Sequence, residues 1–262
     1  MPDPLRLHVR PRLTRPTLVL AFEGWNDAGE SASGALRYLS EQLHAAPLAE
    51  IDPEEFYDFT VRRPHVAVGD GGLRRIDWPV FEFRYAALPG ERELVLGVGG
   101  EPHLRWRGFC DQVARLVREL AVGRVVLLGA FLADVLYSRP VGVSGFSEPR
   151  ELLEGLEVSG TGYEGPTGIV GVLGERLRRE GTSVASLWAG LPHYISVSPN
   201  PRGSLALLRS LARLLELPVD TEPLEVEVAQ FEQEVSQLVA SDPALAEYVK
   251  ELKRREMGTV GN

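Results

Sequence analysis

The run Arg124-Val-Val-Leu-Leu-Gly-Ala-Phe131 sets the first limit on the fold. Seven almost uninterrupted apolar residues leave no side for water, so the segment reads as a central strand covered on both faces. Thr17-Leu-Val-Leu-Ala-Phe22, Glu93-Leu-Val-Leu-Gly-Val98 and Ser183-Val-Ala-Ser-Leu-Trp-Ala189 read the same way, and Val80 to Ala87 alternates as a strand does. Helical spacing fills the intervals, from Ser31 to His44, His103 to Ala121, Gly165 to Glu180 and Gly203 to Leu215. In the second of these, Phe109, Val113, Leu116 and Leu120 share one face. In the third, Pro166 stands near the first turn, where its missing N–H does no harm. Shorter signals predict strand-like pieces from Tyr57 to Val61, a strand from Pro140 to Phe146, and a short helix at Leu152, Leu153 and Leu156. Strands alternating with helices predict a three-layer α/β domain with a largely parallel sheet.

The C-terminal part follows a different pattern. From Glu222 to Met257 the sequence is helical and rich in Glu and Gln, with Val228, Phe231, Val235 and Leu238 in one stripe. Ser241-Asp-Pro243 interrupts it, Ser or Asp capping the next helix. Leu245, Tyr248, Val249 and Leu252 form a second stripe. The division expected is an α/β core over 1–218 and a helical appendage over 219–262. The appendage must pack on the core, bridge subunits or work as a mobile arm.

Composition narrows the chemistry. Only Lys250 and Lys253 are lysines, so the core offers none to a phosphate loop or a Schiff base. One cysteine, Cys110, excludes an internal disulfide framework and a Cys-rich zinc site, and its place beside Phe109 and Val113 suggests a buried, inert thiol. The five histidines share no metal spacing, so no metal and no cofactor are expected. A net charge of −9 disfavours nucleic acid. No apolar run reaches the roughly 20 residues of a membrane span and no leader is apparent, so a cytoplasmic location is expected.

Polar loops follow the strands: Gly24 to Gly29, Gly99 to His103, Ala133 to Arg139 and Leu191 to Asn200, with Tyr163 to Gly168 entering a helix. In open α/β sheets such loops gather at the carboxyl edge, where ligands bind. The groove candidates are Glu23, Trp25, Asn26, Asp27, Asp134, Ser138, Arg139, Tyr163, Thr167, His193, Tyr194 and Asn200. Of these, Asp27, Asp134, Arg139 and His193 are expected to face one another, as acid–base groups or as loop-tying pairs. Gly97-Val-Gly-Gly-Glu-Pro102 has Pro where a dinucleotide fingerprint needs Gly. Gly142-Val-Ser-Gly145 misses a nucleophile elbow by one residue. Catalytic residues therefore stay unassigned.

Phe22-Glu-Gly-Trp-Asn-Asp-Ala-Gly29, Leu128-Gly-Ala-Phe-Leu-Ala-Asp134, Ser138-Arg-Pro140, Tyr163-Glu-Gly-Pro-Thr-Gly168, Leu191-Pro-His-Tyr194 and Asn200-Pro201 occur in this order. Together they resemble the proteasome assembly chaperone two family, over about Leu18 to Leu215. The resemblance implies a mixed sheet in a phosphorylase/hydrolase-like fold, a homo-oligomer, and a chaperone-like, non-enzymatic role. A protein client goes with that role, and the groove read from the polar loops is expected to take a small anionic or polar ligand. The rival is a hydrolase or nucleoside-phosphorylase-like enzyme acting on a small polar substrate. Some bacterial members carry an ATP-grasp ligase label, which the lysine-free core disfavours. Two departures stand out. The family's Pro-His-Thr-Arg-Pro is Leu136-Tyr-Ser-Arg-Pro140 here. The ending Gly258-Thr-Val-Gly-Asn262 lacks the hydrophobic–Tyr–any residue tail with which such chaperones dock on the α-ring.

Overall fold

The computed structural model describes residues 3–90, 92–160 and 162–259; residues 260–262 of the terminal sequence lie outside them. Its frame is a mixed nine-stranded sheet. In chain order the strands are β1 (Leu5–Leu7), β2 (Thr17–Glu23), β3 (Ala46–Ile51), β6 (Phe81–Leu88), β7 (Arg92–Gly100), β8 (Arg124–Ala133), β9 (Val143–Glu148), β10 (Ser159–Gly160) and β11 (Val184–Pro192). A separate two-stranded hairpin comprises β4 (His65–Val68) and β5 (Arg74–Asp77). The large sheet has the order β1-β3-β6-β7-β2-β8-β11-β9-β10. Its centre, β7-β2-β8-β11, is parallel. Antiparallel pairs flank that centre on both sides.

Helices cover both faces of this centre because its strands are apolar on both. Leu18, Leu20 and Phe22 of β2 pack with α2 (Trp106–Glu119) and α3 (Ile169–Arg179). The alternate residues Val19 and Ala21 pack with α1 (Ser31–Gln42) and α4 (Pro201–Leu215). Gly129 of β8 leaves room for Trp188 of β11, whose ring would lie 2.4 Å from an added Cβ. Cys110 is buried in α2, and burial pushes its thiol up to about 12.

Several local readings need correction. Residues 57–61 lie in turns, and the strand of that region is β3. The third helix starts only at Ile169, capped by Gly168, so Pro166 lies in the loop before it. Strand β9 starts at Val143, and the short helix nearby is a 3-10 turn over Arg150–Leu153.

The C-terminal helices are α5 (Glu222–Ser241) and α6 (Pro243–Thr259). Asp242 caps α6, its Oδ1 accepting from the N–H groups of Ala244 at 2.9 Å and Leu245 at 3.1 Å. The buried stripe of α5 is Leu224, Phe231, Val235 and Val239, while Leu238 is exposed. Phe231, Val235, Val239, Val249 and Leu252 close over Leu136 and Ile195, which sit in the loops after β8 and β11. The two helices therefore pack on their own chain.

Candidate functional site

Parallel pairing fixes where the polar loops go. Strands β7, β2, β8 and β11 end side by side, so the segments after Gly100, Glu23, Ala133 and Pro192 share one edge. Cross-links between them are numerous. Asn26 accepts a hydrogen bond from the Ala130 N–H at 2.8 Å, extending the pairing of β2 with β8. The Asn200 N–H donates to the Gly29 carbonyl at 2.7 Å. Gly29 has φ 58°, and a Cβ there would lie 2.7 Å from that of Asn200, so only glycine suits the crossing.

Most candidate side chains are engaged in this stitching. The Asn26 side chain is buried and donates to Glu101 at 2.8 Å. The same Glu101 oxygen accepts from the Ile169 N–H at 2.8 Å, so it also caps α3. Asn200 caps α4, accepting from the Arg202 N–H at 3.2 Å and the Gly203 N–H at 3.3 Å. Glu23 is clasped by the guanidinium groups of Arg37 and Arg62. It borders a cleft of ≈ 760 Å³ between α1 and strands β6 and β7, lined also by Arg84 and His44. Ser138 lines a second cleft, of ≈ 480 Å³, beside α4. Tyr194 donates to the Val135 carbonyl at 3.0 Å, and Thr167 contacts the Gly168 carbonyl at 3.5 Å.

The four groups expected to face one another separate into three places. Asp134 and His193 do meet, with Oδ1 2.8 Å from Nε2. Tyr248 of α6 joins them, its hydroxyl 3.0 Å from Asp134 and 2.9 Å from His193. Arg139 instead pairs with Glu256 of α6 at 3.6 Å. Asp27 is buried beneath α1, where Oδ1 accepts from the N–H groups of Ala32 at 2.6 Å and Ser33 at 3.2 Å. Sequence reasoning passed over Glu101, read within a failed nucleotide motif, and Tyr248, read as one residue of an apolar stripe.

Burial pushes the carboxyl of Asp27 above its ordinary value, outweighing the hydrogen bonds from Ser33 and Ala32. Its Oδ2 is buried with no hydrogen-bond partner among the described residues. The native state therefore holds this proton to a higher pH than the unfolded chain does. The stability this group contributes is present below about pH 4 and is lost as pH rises toward its raised native value. Asp27→Asn keeps an oxygen for the helix end and cannot ionise. The stability of the wild type relative to Asp27→Asn is expected to fall as pH rises above about 4 in denaturant titrations. A flat or rising difference would contradict the assignment.

Large apolar side chains share the same edge. Trp25 follows β2, Leu104 follows β7, and Phe131 and Leu132 end β8. All are exposed, Trp25 at 63% and Leu132 at 58%, as is Tyr163 in the loop before α3.

A model of the PAC2 family matches residues 21–239. A PAC2 family protein from Streptomyces avermitilis is 43% identical, with a TM-score of 0.82 over 89% of this chain and 99% of that one. A proteasome-assembly chaperone homologue from Mycobacterium tuberculosis is 40% identical, with a TM-score of 0.80 and the same shares covered. An archaeal proteasome activator from Pyrococcus furiosus, at 18% identity, shares the fold with a TM-score of 0.70, over 89% of this chain and 97% of that one. No functionally curated protein matches. The span of the family match and the two close structural relatives agree: the chain belongs to the PAC2 family.

Proposed function

We propose that this chain is an assembly chaperone without enzymatic activity, acting in the cytoplasm as a homo-oligomer and holding a protein client against the carboxyl edge of its sheet. The observation that carries the reading is the set of exposed apolar side chains there: Leu104, Trp25, Phe131, Leu132 and Tyr163. Exposed apolar surface of this kind marks protein-binding sites. The polar groups of the same edge are occupied in joining loops and capping helices. By analogy with the proteasome-assembly chaperone homologue, the client class is proteasome subunits. The arginine-lined cleft beside Glu23 is the place for a small anionic or polar ligand.

The test is binding to purified α subunits of the source organism's proteasome, followed by calorimetry. The double variant Trp25→Ser, Leu132→Ser is expected to bind at least about 10-fold more weakly, since aromatic and apolar anchors dominate such interfaces. Equal affinity would remove the edge from the account.

A second reading, an enzyme acting on a small polar substrate, is favoured by the Asp134–His193–Tyr248 contacts. Exposed pairs of this type contribute under about 1 kcal/mol. His193→Ala is therefore expected to leave both the fold and client binding almost unchanged. Turnover of nucleosides with phosphate, lost on His193→Ala, would establish the enzyme instead.

A further inference from the structure

A cleft of ≈ 540 Å³ opens at the other edge of the sheet, where the central strands begin, beside the end of α4. Thr17 stands in register with Leu94 of β7 on one side and with Arg124 of β8 on the other. Residues in register share a face of the sheet, and Leu94 lies in the core cluster with residues of α1 and α4. Arg124 and Thr17 therefore point to the α4 side, where both line the cleft. Arg15 joins them from the segment before β2. A Cβ on Gly123 would lie 3.0 Å from the Arg15 carbonyl oxygen and 3.4 Å from the Arg15 Cβ. Glycine thus lets that segment lie against the turn into β8, which brings the stems of Arg15 and Arg124 to the same wall.

These two guanidinium groups have no ion pair or hydrogen bond among the described residues. The end of α4 does not need them. Arg92 serves it, donating to the Leu215 carbonyl at 3.0 Å and the Glu216 carbonyl at 3.3 Å. Two carboxylates also line the cleft. Glu93 precedes Leu94, so its stem leaves the opposite face of the sheet, and its Oε2 accepts from the Thr14 N–H at 3.2 Å. Glu216 lies 3.9 Å from Arg92, with its side chain 88% exposed. With Arg15, Arg92 and Arg124 against these two, the lining keeps one positive charge in a chain of net −9.

We propose that this cleft binds a small organic phosphate, its phosphate group held by Arg15 and Arg124. The planar fork of a guanidinium matches the oxygens of a phosphate. The hydroxyls of Thr14 and Thr17 supply further donors in the same lining. The volume exceeds what a bare phosphate fills and lies within the roughly 300–1,000 Å³ of organic ligand sites. Leu88 of β6 and Leu214 of α4 give the body of such a ligand an apolar wall. The site stands at the opposite edge from the client surface and does not depend on the chaperone reading.

Calorimetry on the purified full-length chain tests it, with ribose 5-phosphate, inorganic phosphate and ribose as probes. Ribose 5-phosphate is expected to bind, inorganic phosphate to bind more weakly, and ribose to give no binding heat. Arg15→Gln and Arg124→Gln are each expected to weaken ribose 5-phosphate by at least about 10-fold, the loss of a charge-assisted contact. Arg15 is exposed, so its variant is expected to melt with the wild type and separates binding from folding. Absence of binding by ribose 5-phosphate overturns the proposal, as does unchanged affinity in both variants, which would place the anion elsewhere. Equal affinity for ribose 5-phosphate and inorganic phosphate also overturns it, because the organic body would then contribute nothing.

Discussion

A chain ended after Pro218 is expected to melt roughly 10 °C or more below the full-length protein. Helices α5 and α6 bury Leu136 and Ile195, each only 5% exposed, under Phe231, Val235, Val239, Val249 and Leu252. Burial of a Leu or Ile side chain contributes about 1.5–3 kcal/mol. Uncovering both amounts to roughly 3–6 kcal/mol by that measure, and the loss of Leu224 from the cluster around α4 adds to it. The loops that carry Leu136 and Ile195 also shape the carboxyl edge, so truncation loosens the binding surface as well. Phe231→Ala isolates part of the effect and is expected to lower stability by about 3 kcal/mol. A truncated chain that melts with the full-length protein would mean that these helices contribute nothing to the fold.

Phe109→Ala is expected to lower stability by about 3–5 kcal/mol in denaturant titrations. Phe109 is fully buried in α2 and its ring meets those of Phe56 at 5.4 Å, Phe81 at 5.4 Å and Phe22 at 6.0 Å. These four rings join the helix, two strands and the segment leading toward the β4–β5 hairpin. The gap left by alanine has walls on strands and a helix that cannot collapse into it. Phe109→Leu retains most of the volume and is expected to lose less than half as much. Equal losses for the two variants would show that ring contacts, and not filled volume, set the effect.

Much of the fold is legible in the sequence because the central strands are apolar on both faces. Arg124 to Phe131 lies within β8, and Thr17 to Phe22 within β2. Legibility fails where local signals are weak. Val66 and Val68 are strand residues without a hydrophobic neighbour to bury them, and Gly69-Asp-Gly-Gly72 obscures the turn, so the hairpin escapes a search for alternation. Leu238 misleads by one position: the buried stripe steps by four from Phe231 to Val235 and again to Val239. At the site, the sequence marks the loops but not their partners. Asp134 and His193 come together because β8 and β11 are adjacent and parallel. Asp27, although on the same edge, turns under α1 to the helix N-terminus. Tyr248 and Glu101 enter through contacts between residues 114 and 75 positions apart in sequence, which no local pattern encodes.

Hydrogen–deuterium exchange on the chain bound to proteasome α subunits tests the central claim most directly. Protection is predicted across 24–29, 102–105 and 131–134, the carboxyl edge that carries Trp25, Leu104, Phe131 and Leu132. Protection confined to other surfaces, with these segments exchanging as in the free chain, would contradict it.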